Sequence, residues 1–408
     1  MKSWEWFKTY ANAEIIERLN SNNLGNYDLK IIGITGTVGK TTVAELTSQY
    51  LNYIGKRTFY IGTSGINCPA ANYWHFNFPS TSPTSTDMLA TFMHGAYAYN
   101  CEYFVIEVTA ETIAMGVYKD LDFECIAFTN LKRNIVRSFK NDSIYFTHKL
   151  SILQSNNVER VLSSAKNNEL VKSLIKLNIK PILFDYKYRI DDNCNLTMIL
   201  NDVEYKTNLL SSINADNVAL FYNIIKASNL LDDELFTSFL NIILIPGRLE
   251  RFTIADRTFV IDTGYGGVEG LTPFFEESKI KPNIAVMSSY FFDNPNDTAQ
   301  NLINKRKGRA ALVAKYCDTV YLTATHRRTG NITPDREQCV IDQLQLGAPN
   351  AIQIYNRMQA IETACLNSKP GDIIIVLGMG SETWGEVDAS KNLYIGDRDF
   401  IEMVFNQN

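Results

Sequence analysis

Residues 33–42 read Gly-Ile-Thr-Gly-Thr-Val-Gly-Lys-Thr-Thr. An apolar run, Leu29–Thr35, leads into them, and Val43–Ile54 follows with helical spacing of its apolar residues. A buried strand, a glycine-rich turn and a helix in that order require a parallel sheet with a crossover helix. Glycines let backbone N–H groups approach phosphate oxygens, and the helix N-terminus adds partial positive charge. Lys40 can then reach the β- and γ-phosphates, and Thr41 can ligate Mg²⁺. The strict GxxxxGK[ST] pattern would place glycine at 34, where Ile34 stands, so the match is to a GxxGxxGKTT variant. The alternative is a glycine-rich turn carrying a surface lysine. The coincidence of strand, GKTT and helix favours a phosphate loop that binds ATP through Gly36, Thr37, Gly39, Lys40, Thr41 and Thr42.

The same rhythm continues. Residues 57–61, 103–107, 125–128, 158–162 and 181–184 read as buried strands, with a helix over 166–177. Residues 196–200 and 203–206 read as a hairpin turning at Asn201-Asp202. A helix follows over 214–228. After Pro246-Gly247 comes a second hairpin, 252–254 with 258–262, and then strands at 284–287, 319–323, 351–354 and 373–377. The spacing predicts an α/β protein: a central P-loop ATPase domain with a parallel sheet, then a C-terminal Rossmann-like α/β domain. The boundaries drawn from it are a helical extension over 1–28, a central domain over 29–246 and a C-terminal domain over 247–408. Residues 66–86, rich in Asn, Pro, Ser and Thr, read as one long loop.

Composition excludes several classes. A net charge of −5 gives no global basic field for nucleic acid. Seven scattered cysteines without a CxxC pair argue against a disulfide framework or zinc ribbon and suit a reducing compartment, hence the cytoplasm. No apolar run approaches the ~20 residues of a membrane span, and the N-terminus has no signal-peptide core.

With these residues in place, the chain resembles the Mur ligases, ATP-dependent amide ligases that include the UDP-MurNAc-peptide synthetases. The nearest type adds the third residue of the peptidoglycan stem; it carries GTNGKTT where this chain has Gly36-Thr-Val-Gly-Lys-Thr-Thr42. The resemblance implies a Mur ligase-like fold and roles for further residues. Glu107-Val-Thr-Ala-Glu111 stands where the family has EVSSH, implying that Glu107 ligates Mg²⁺; the other reading is a solvated strand-end carboxylate. Tyr145-Phe146 and Lys149, 21 residues after Phe128, match the spacing of the lysine that CO₂ carbamylates in many of these ligases, where it holds a second Mg²⁺. Lys149 could equally be a surface lysine. The DHLD segment is replaced by Asn134-Ile-Val-Arg137, and the EVSSH histidine by Glu111. Residues 132–149 carry five basic side chains against Asp142, either a solvated loop or a site for an anion.

Thr81-Ser82-Pro83 parallels a Thr-Thr-Pro that contacts the acceptor in the family, or is a simple turn. Asn217, in Ile213-Asn-Ala-Asp-Asn217, resembles the adenine-recognising residue, while Asn214 suits an N-cap. Pro246-Gly-Arg248-Leu-Glu250 resembles the PGRxE hinge, implying that Arg248 reaches the nucleotide phosphates and acts in catalysis with Lys40 and Lys149. Asp262 matches the ribose-holding residue of DYAHxP, and Gly378-Met-Gly-Ser-Glu-Thr383 resembles GKGHET; both lack the family histidine. Thr325-His-Arg327-Arg328 stands where diaminopimelate-adding members carry DNPR. Arg327 and Arg328 could grip a carboxylate of the incoming amino acid, or form a surface basic pair; diaminopimelate specificity is not supported.

The resemblance implies an acid–amino-acid ligase using ATP and Mg²⁺. It would join a small-molecule carboxylate to an amino acid or amine through an acyl phosphate. Only 32 residues precede Gly33, whereas peptidoglycan ligases of this type place a UDP-MurNAc-binding domain there. A small carboxylate acceptor is therefore preferred over a UDP-MurNAc-peptide. The rival class is a P-loop ATPase or nucleotide-binding protein with degenerate ligase chemistry, favoured by the lost histidines and DHLD acids. The sequence does not specify an oligomeric state.

Overall fold

The computed structural model describes residues 28–71, 73–76, 81–131, 142–264, 267–277, 280–289, 299–325, 333–381 and 394–406. The N-terminal helix expected over 4–20, the Asn134–Arg137 segment, Arg327 and Arg328 lie outside them. The chain divides into two compact units. One takes residues up to Lys187 with 198–204 and 216–239; the other takes 188–197, 205–215 and 240 onward.

The first unit is built on a sheet of eight strands. β1 (Lys30–Thr35), α1 (Lys40–Tyr53), β2 (Thr58–Gly62), β3 (Gly65–Cys68), β4 (Tyr73–Phe76), α2 (Thr86–Ala98), β5 (Tyr103–Glu107), α3 (Ala110–Ala114), β6 (Asp122–Phe128), α4 (Asp142–Ser151), β7 (Asn157–Ser164), α5 (Asn168–Lys176) and β8 (Ile182–Phe184) follow in chain order. The sheet order is β4-β3-β2-β5-β1-β6-β7-β8. The six strands β2-β5-β1-β6-β7-β8 pair in parallel, whereas β3 pairs antiparallel with both β2 and β4. Parallel strands are covered on both faces, which is why β1, β2 and β5 read as continuous apolar runs. The expected loop over 66–86 is corrected: β3 and β4 run antiparallel from β2 through a two-residue turn, Thr63-Ser64. The Asn, Pro, Ser and Thr around them hide two four-residue strands, which form because β2 offers an edge to β3 and β3 one to β4.

Helix α6 (Ala215–Ala227) and helix α7 (Asp233–Ile242) follow a three-stranded sheet of β9 (Lys187–Ile190), β10 (Asn195–Leu200) and β11 (Val203–Leu210), ordered β11-β10-β9. The β10–β11 turn has Asn201 and Asp202 both at positive φ, 49° and 64°, as a two-residue hairpin requires. In the first unit, Tyr50 of α1 meets Phe221, Phe236 and Phe239 edge-on, with ring centroids 5.7, 5.6 and 5.3 Å away. Such aromatic pairs each contribute about 0.5–1.5 kcal/mol beyond their buried area. They fasten α6 and α7 to α1 and so set where Asn217 lies.

The second unit holds β12 (Arg248–Ile254), β13 (Arg257–Asp262), α8 (Gly267–Glu277), β14 (Ile284–Met287), α9 (Ala299–Tyr316), β15 (Thr319–Leu322), α10 (Pro334–Gln345), β16 (Ile352–Gln353), α11 (Arg357–Asn367), β17 (Ile373–Leu377) and α12 (Asp397–Asn406). Its sheet runs β12-β13-β17-β14-β15-β16, with β12 antiparallel and the rest parallel. Alternate residues feed two cores. Val260, Ala285, Met287 and Ile375 face one, and Phe259, Ile284, Val286 and Ile374 face the other. Both faces are thus buried, as a Rossmann-like layer needs.

Candidate functional site

In the first unit, β1 lies between β5 and β6, so the chain ends of three parallel strands meet. Ile34 pairs with Glu107, and Thr35 with Phe128. Ligands bind outside such carboxyl ends where neighbouring connections diverge. The glycine loop emerges here. Gly36 (φ 138°) and Gly39 (φ 89°) both lie where a side chain is strained. A Cβ at Gly36 would strike Thr129 Oγ1, and one at Gly39 would strike Asn217 Oδ1.

The loop is clamped from β6. Asn130 O accepts from Thr37 N (3.1 Å), and Asn130 Oδ1 accepts from Val38 N (3.2 Å). Asn130 Nδ2 and Thr129 Oγ1 both donate to Val38 O, at 2.9 and 2.6 Å. Gly39 then caps α1, whose first turn brings the partial positive charge of a helix N-terminus to the loop. Lys40 Nζ folds back onto the carbonyls of Gly36 (3.2 Å) and Thr37 (3.4 Å). Tyr145 OH donates to Thr37 Oγ1 at 3.4 Å.

Glu107 is fully buried, so it is not a solvated strand end. Its Oε2 accepts from Thr41 Oγ1 (3.1 Å) and Thr63 Oγ1 (3.3 Å). Its Oε1 accepts from Thr63 N (2.7 Å) and Tyr60 OH (3.1 Å). Ser82 Oγ donates to the Glu107 carbonyl at 2.6 Å, and Thr63 Oγ1 lies 3.1 Å from Thr81 Oγ1. Thr81 and Ser82 are thereby brought beside Glu107. A hydroxyl and a carboxylate this close are hard oxygen donors suited to Mg²⁺. Among the described residues no three His, Cys, Asp or Glu side chains gather to hold a metal alone; the remaining oxygens would come from phosphate and water, as is usual for Mg²⁺.

Lys149, on α4, is 1% exposed and is not a surface lysine. Its Nζ donates to Thr35 Oγ1 (3.2 Å), which donates onward to Val108 O (2.9 Å). Burial, reinforced by the charge of Lys40, lowers its pKa well below the usual lysine value, with Glu111 pulling the other way. Burial and the Lys40 charge both disfavour the ammonium form relative to an exposed lysine.

In the second unit three sequence-distant segments converge at the carboxyl ends of β13 and β17. Arg248 donates to Thr263 Oγ1. Asp262 accepts from the N–H groups of Leu249 (3.1 Å) and Gly264. Burial raises the Asp262 pKa, while Arg248, these N–H groups and Arg309 oppose the rise. Gly378 N donates to Asp262 O at 2.9 Å, and Thr263 N to Gly247 O at 3.0 Å. The Pro246–Glu250, Asp262–Gly264 and Gly378–Gly380 segments thus form one cluster.

Several residues here carried no sequence signal. Tyr60 adjoins Glu107, with Ser64 and then Glu45 behind it, and Asn130 adjoins the loop. In the second unit Arg357 and Asp397 form a buried pair under Gly380. Short motifs report local spacing, whereas these contacts join residues 40 to 92 positions apart.

Residues 34–229 match the family model described as the Mur ligase middle domain. The chain is 23% identical over 410 residues to a UDP-N-acetylmuramoyl-L-alanyl-D-glutamate–2,6-diaminopimelate ligase of Nostoc sp., covering 93% of this chain and 77% of that one. It is 24% identical over 414 residues to the Helicobacter pylori protein of the same name, covering 96% and 87%. Its fold is similar to that of a folylpolyglutamate synthase of Thermotoga maritima, with a TM-score of 0.64 at 14% identity over 95% of this chain and 92% of that one. A solved diaminopimelate ligase gives a TM-score of 0.61 at 18% identity, over 96% and 81%. At these identities the structures share the fold.

Proposed function

We propose that this chain, whose residues 34–229 match the Mur ligase middle domain and whose relatives are named as ligases, is an ATP-dependent ligase that couples a small-molecule carboxylate to an amino acid or amine. The observation that carries the reading is the buried amine of Lys149 on Thr35, the residue that leads into the phosphate loop, in the same unit as the Thr41–Glu107 pair. A loop that only hydrolysed ATP would have no use for a desolvated lysine at that place.

In this proposal the acceptor carboxylate attacks the γ-phosphorus of ATP, and the β–γ bridging bond breaks to leave ADP and an acyl phosphate. The amine then attacks the acyl carbon, loses a proton, and expels phosphate to leave the amide. The loop from Gly36 to Thr42 cradles the phosphates, with Lys40 turning from its loop carbonyls toward them. Thr41 and Glu107 would hold Mg²⁺, which offsets phosphate charge when bound. Lys149 would take up CO₂ as a carbamate through its neutral amine, giving an oxygen donor for a second ion. Asn217 is assigned to adenine, Asp262 to ribose, Arg248 to the phosphates, Thr81 and Ser82 to the acceptor, and Arg327 and Arg328 to the incoming carboxylate.

The preferred acceptor is a small carboxylate, since residues 325–328 depart from the DNPR pattern. A UDP-MurNAc-peptide is the second reading, favoured by what the relatives in Nostoc sp. and Helicobacter pylori act on. The cytoplasm is the proposed location.

Phosphate release from ATP and Mg²⁺, measured across a library of carboxylates including a UDP-MurNAc-peptide and of amines, tests this reading with Lys149→Ala alongside. Release that needs a particular acid and amine, and is lost in the variant, is the expected result. Release without either substrate, unchanged in Lys149→Ala, would establish a plain ATPase instead.

A further inference from the structure

Two carboxylates are fully buried between α1 and the sheet of the first unit, Glu107 and Glu45. Burying a carboxylate is costly, and apolar side chains of the same volume would serve packing better. Glu107 has a use in the proposed metal site. Glu45 lies one helical turn beyond Thr41 and has had none so far. Among the described residues its side-chain oxygens accept only from neutral donors, Ser64 Oγ and Gln49 Nε2, the latter at 2.9 Å.

The contacts close into a circuit. Glu45 accepts from Ser64. Ser64 Oγ lies 2.8 Å from Tyr60 OH, whose one proton is shared between Ser64 and Glu107. Tyr60 OH donates to Glu107 Oε1 at 3.1 Å, and Glu107 Oε2 accepts from Thr41 Oγ1 at 3.1 Å. Thr41 and Glu45 share one helix, so the circuit begins and ends on α1. It crosses β2, the Thr63-Ser64 turn and β5. Gly62 makes room for it: a Cβ there would strike both Tyr60 OH and Glu107 Oε1. One Glu107 oxygen is therefore pinned by Tyr60 and the Thr63 N–H, which turns the other toward Thr41.

We propose that Glu45, Ser64 and Tyr60 are positioning residues that hold the Glu107 carboxylate in the orientation that binds a divalent cation with Thr41. This rests on the assignment of Glu107 as a metal ligand. Partners that orient a ligating carboxylate typically change metal affinity 10–100-fold when removed.

The test is calorimetric binding of ADP at a series of Mg²⁺ concentrations, by the full chain and by Tyr60→Phe, Ser64→Ala, Glu45→Gln and Glu107→Gln. Tyr60→Phe and Ser64→Ala each remove one oxygen, and melting curves verify that they fold. Both should raise the Mg²⁺ concentration for half-maximal enhancement by roughly tenfold, with ADP affinity in the absence of Mg²⁺ unchanged. Glu45→Gln retains an acceptor for Ser64 and should stay near the wild type. A wild-type Mg²⁺ half-point in folded Tyr60→Phe and Ser64→Ala, with Glu107→Gln shifted, would overturn the proposal and spare the metal site. Glu107→Gln with an unshifted half-point would overturn both.

Discussion

Thr41 Oγ1 donates to Glu107 Oε2 across 3.1 Å, although the two residues stand 66 positions apart. Sheet pairing of β1 with β5 brings them together. Glu107→Gln keeps the shape and much of the hydrogen bonding but removes the charge. Substrate-dependent phosphate release should fall on the order of 100-fold, the usual cost of losing one preorganised electrostatic group. The melting temperature should change little. A variant as active as the wild type would remove Glu107 from the site.

Lys149 supplies a pH dependence. Its native pKa is lowered, chiefly by burial, whereas in the unfolded chain it titrates near 10.5. Between those two values the unfolded state holds one more proton than the native state. Stability therefore rises with pH through that window, by at most about 1.4 kcal/mol per pH unit. In CO₂-free buffer, denaturant unfolding between pH 7 and 10 should show this slope in the wild type and not in Lys149→Met. The variant should also be the more stable protein at neutral pH. Parallel curves would mean that Lys149 is not the titrating group.

Asn130 bridges both polar groups of Val38, at 3.2 and 2.9 Å. Asn130→Ala leaves the loop backbone held by the Asn130 carbonyl and Thr129 alone. ADP binding should weaken roughly tenfold, about 1.4 kcal/mol, measured by calorimetry at saturating Mg²⁺. Asn130→Asp should be worse, because its carboxylate faces the Val38 carbonyl and the bound phosphates.

The elements legible in the sequence are those whose cause is local. β1, β5 and β17 read as strands because parallel strands are buried on both faces, and Gly36 and Gly39 mark a loop that admits no side chain. The strands β3 and β4 were not legible: each is only four residues long among Asn, Pro, Ser and Thr, and they form because β2 pairs with β3 and β3 with β4. Lys149 was legible by its spacing from Phe128, but its burial was not, since that depends on β1 and α4 meeting at Thr35. Glu45 looked like an ordinary helix residue. Only the fold sets it against Ser64 and shows that its side chain is buried.

Arg357 and Asp397 provide the last test. Both are buried, and they meet through two 2.8 Å hydrogen bonds. Arg357 Nη1 also donates to Ser288 Oγ at 2.9 Å, and Asp397 Oδ2 accepts from Gly380 N at 2.9 Å. Burial opposes the guanidinium charge, but Asp397 and Tyr394 outweigh it and keep Arg357 protonated. Asp397→Leu alone strands that cation and should cost about 3–5 kcal/mol in denaturant unfolding. Adding Arg357→Met removes the stranded charge, so the double variant should regain most of the loss. It should not regain phosphate release, because the Gly380 N–H loses the acceptor that holds the Gly378–Gly380 turn beside Asp262. Full activity in a folded double variant would show that the pair serves stability alone.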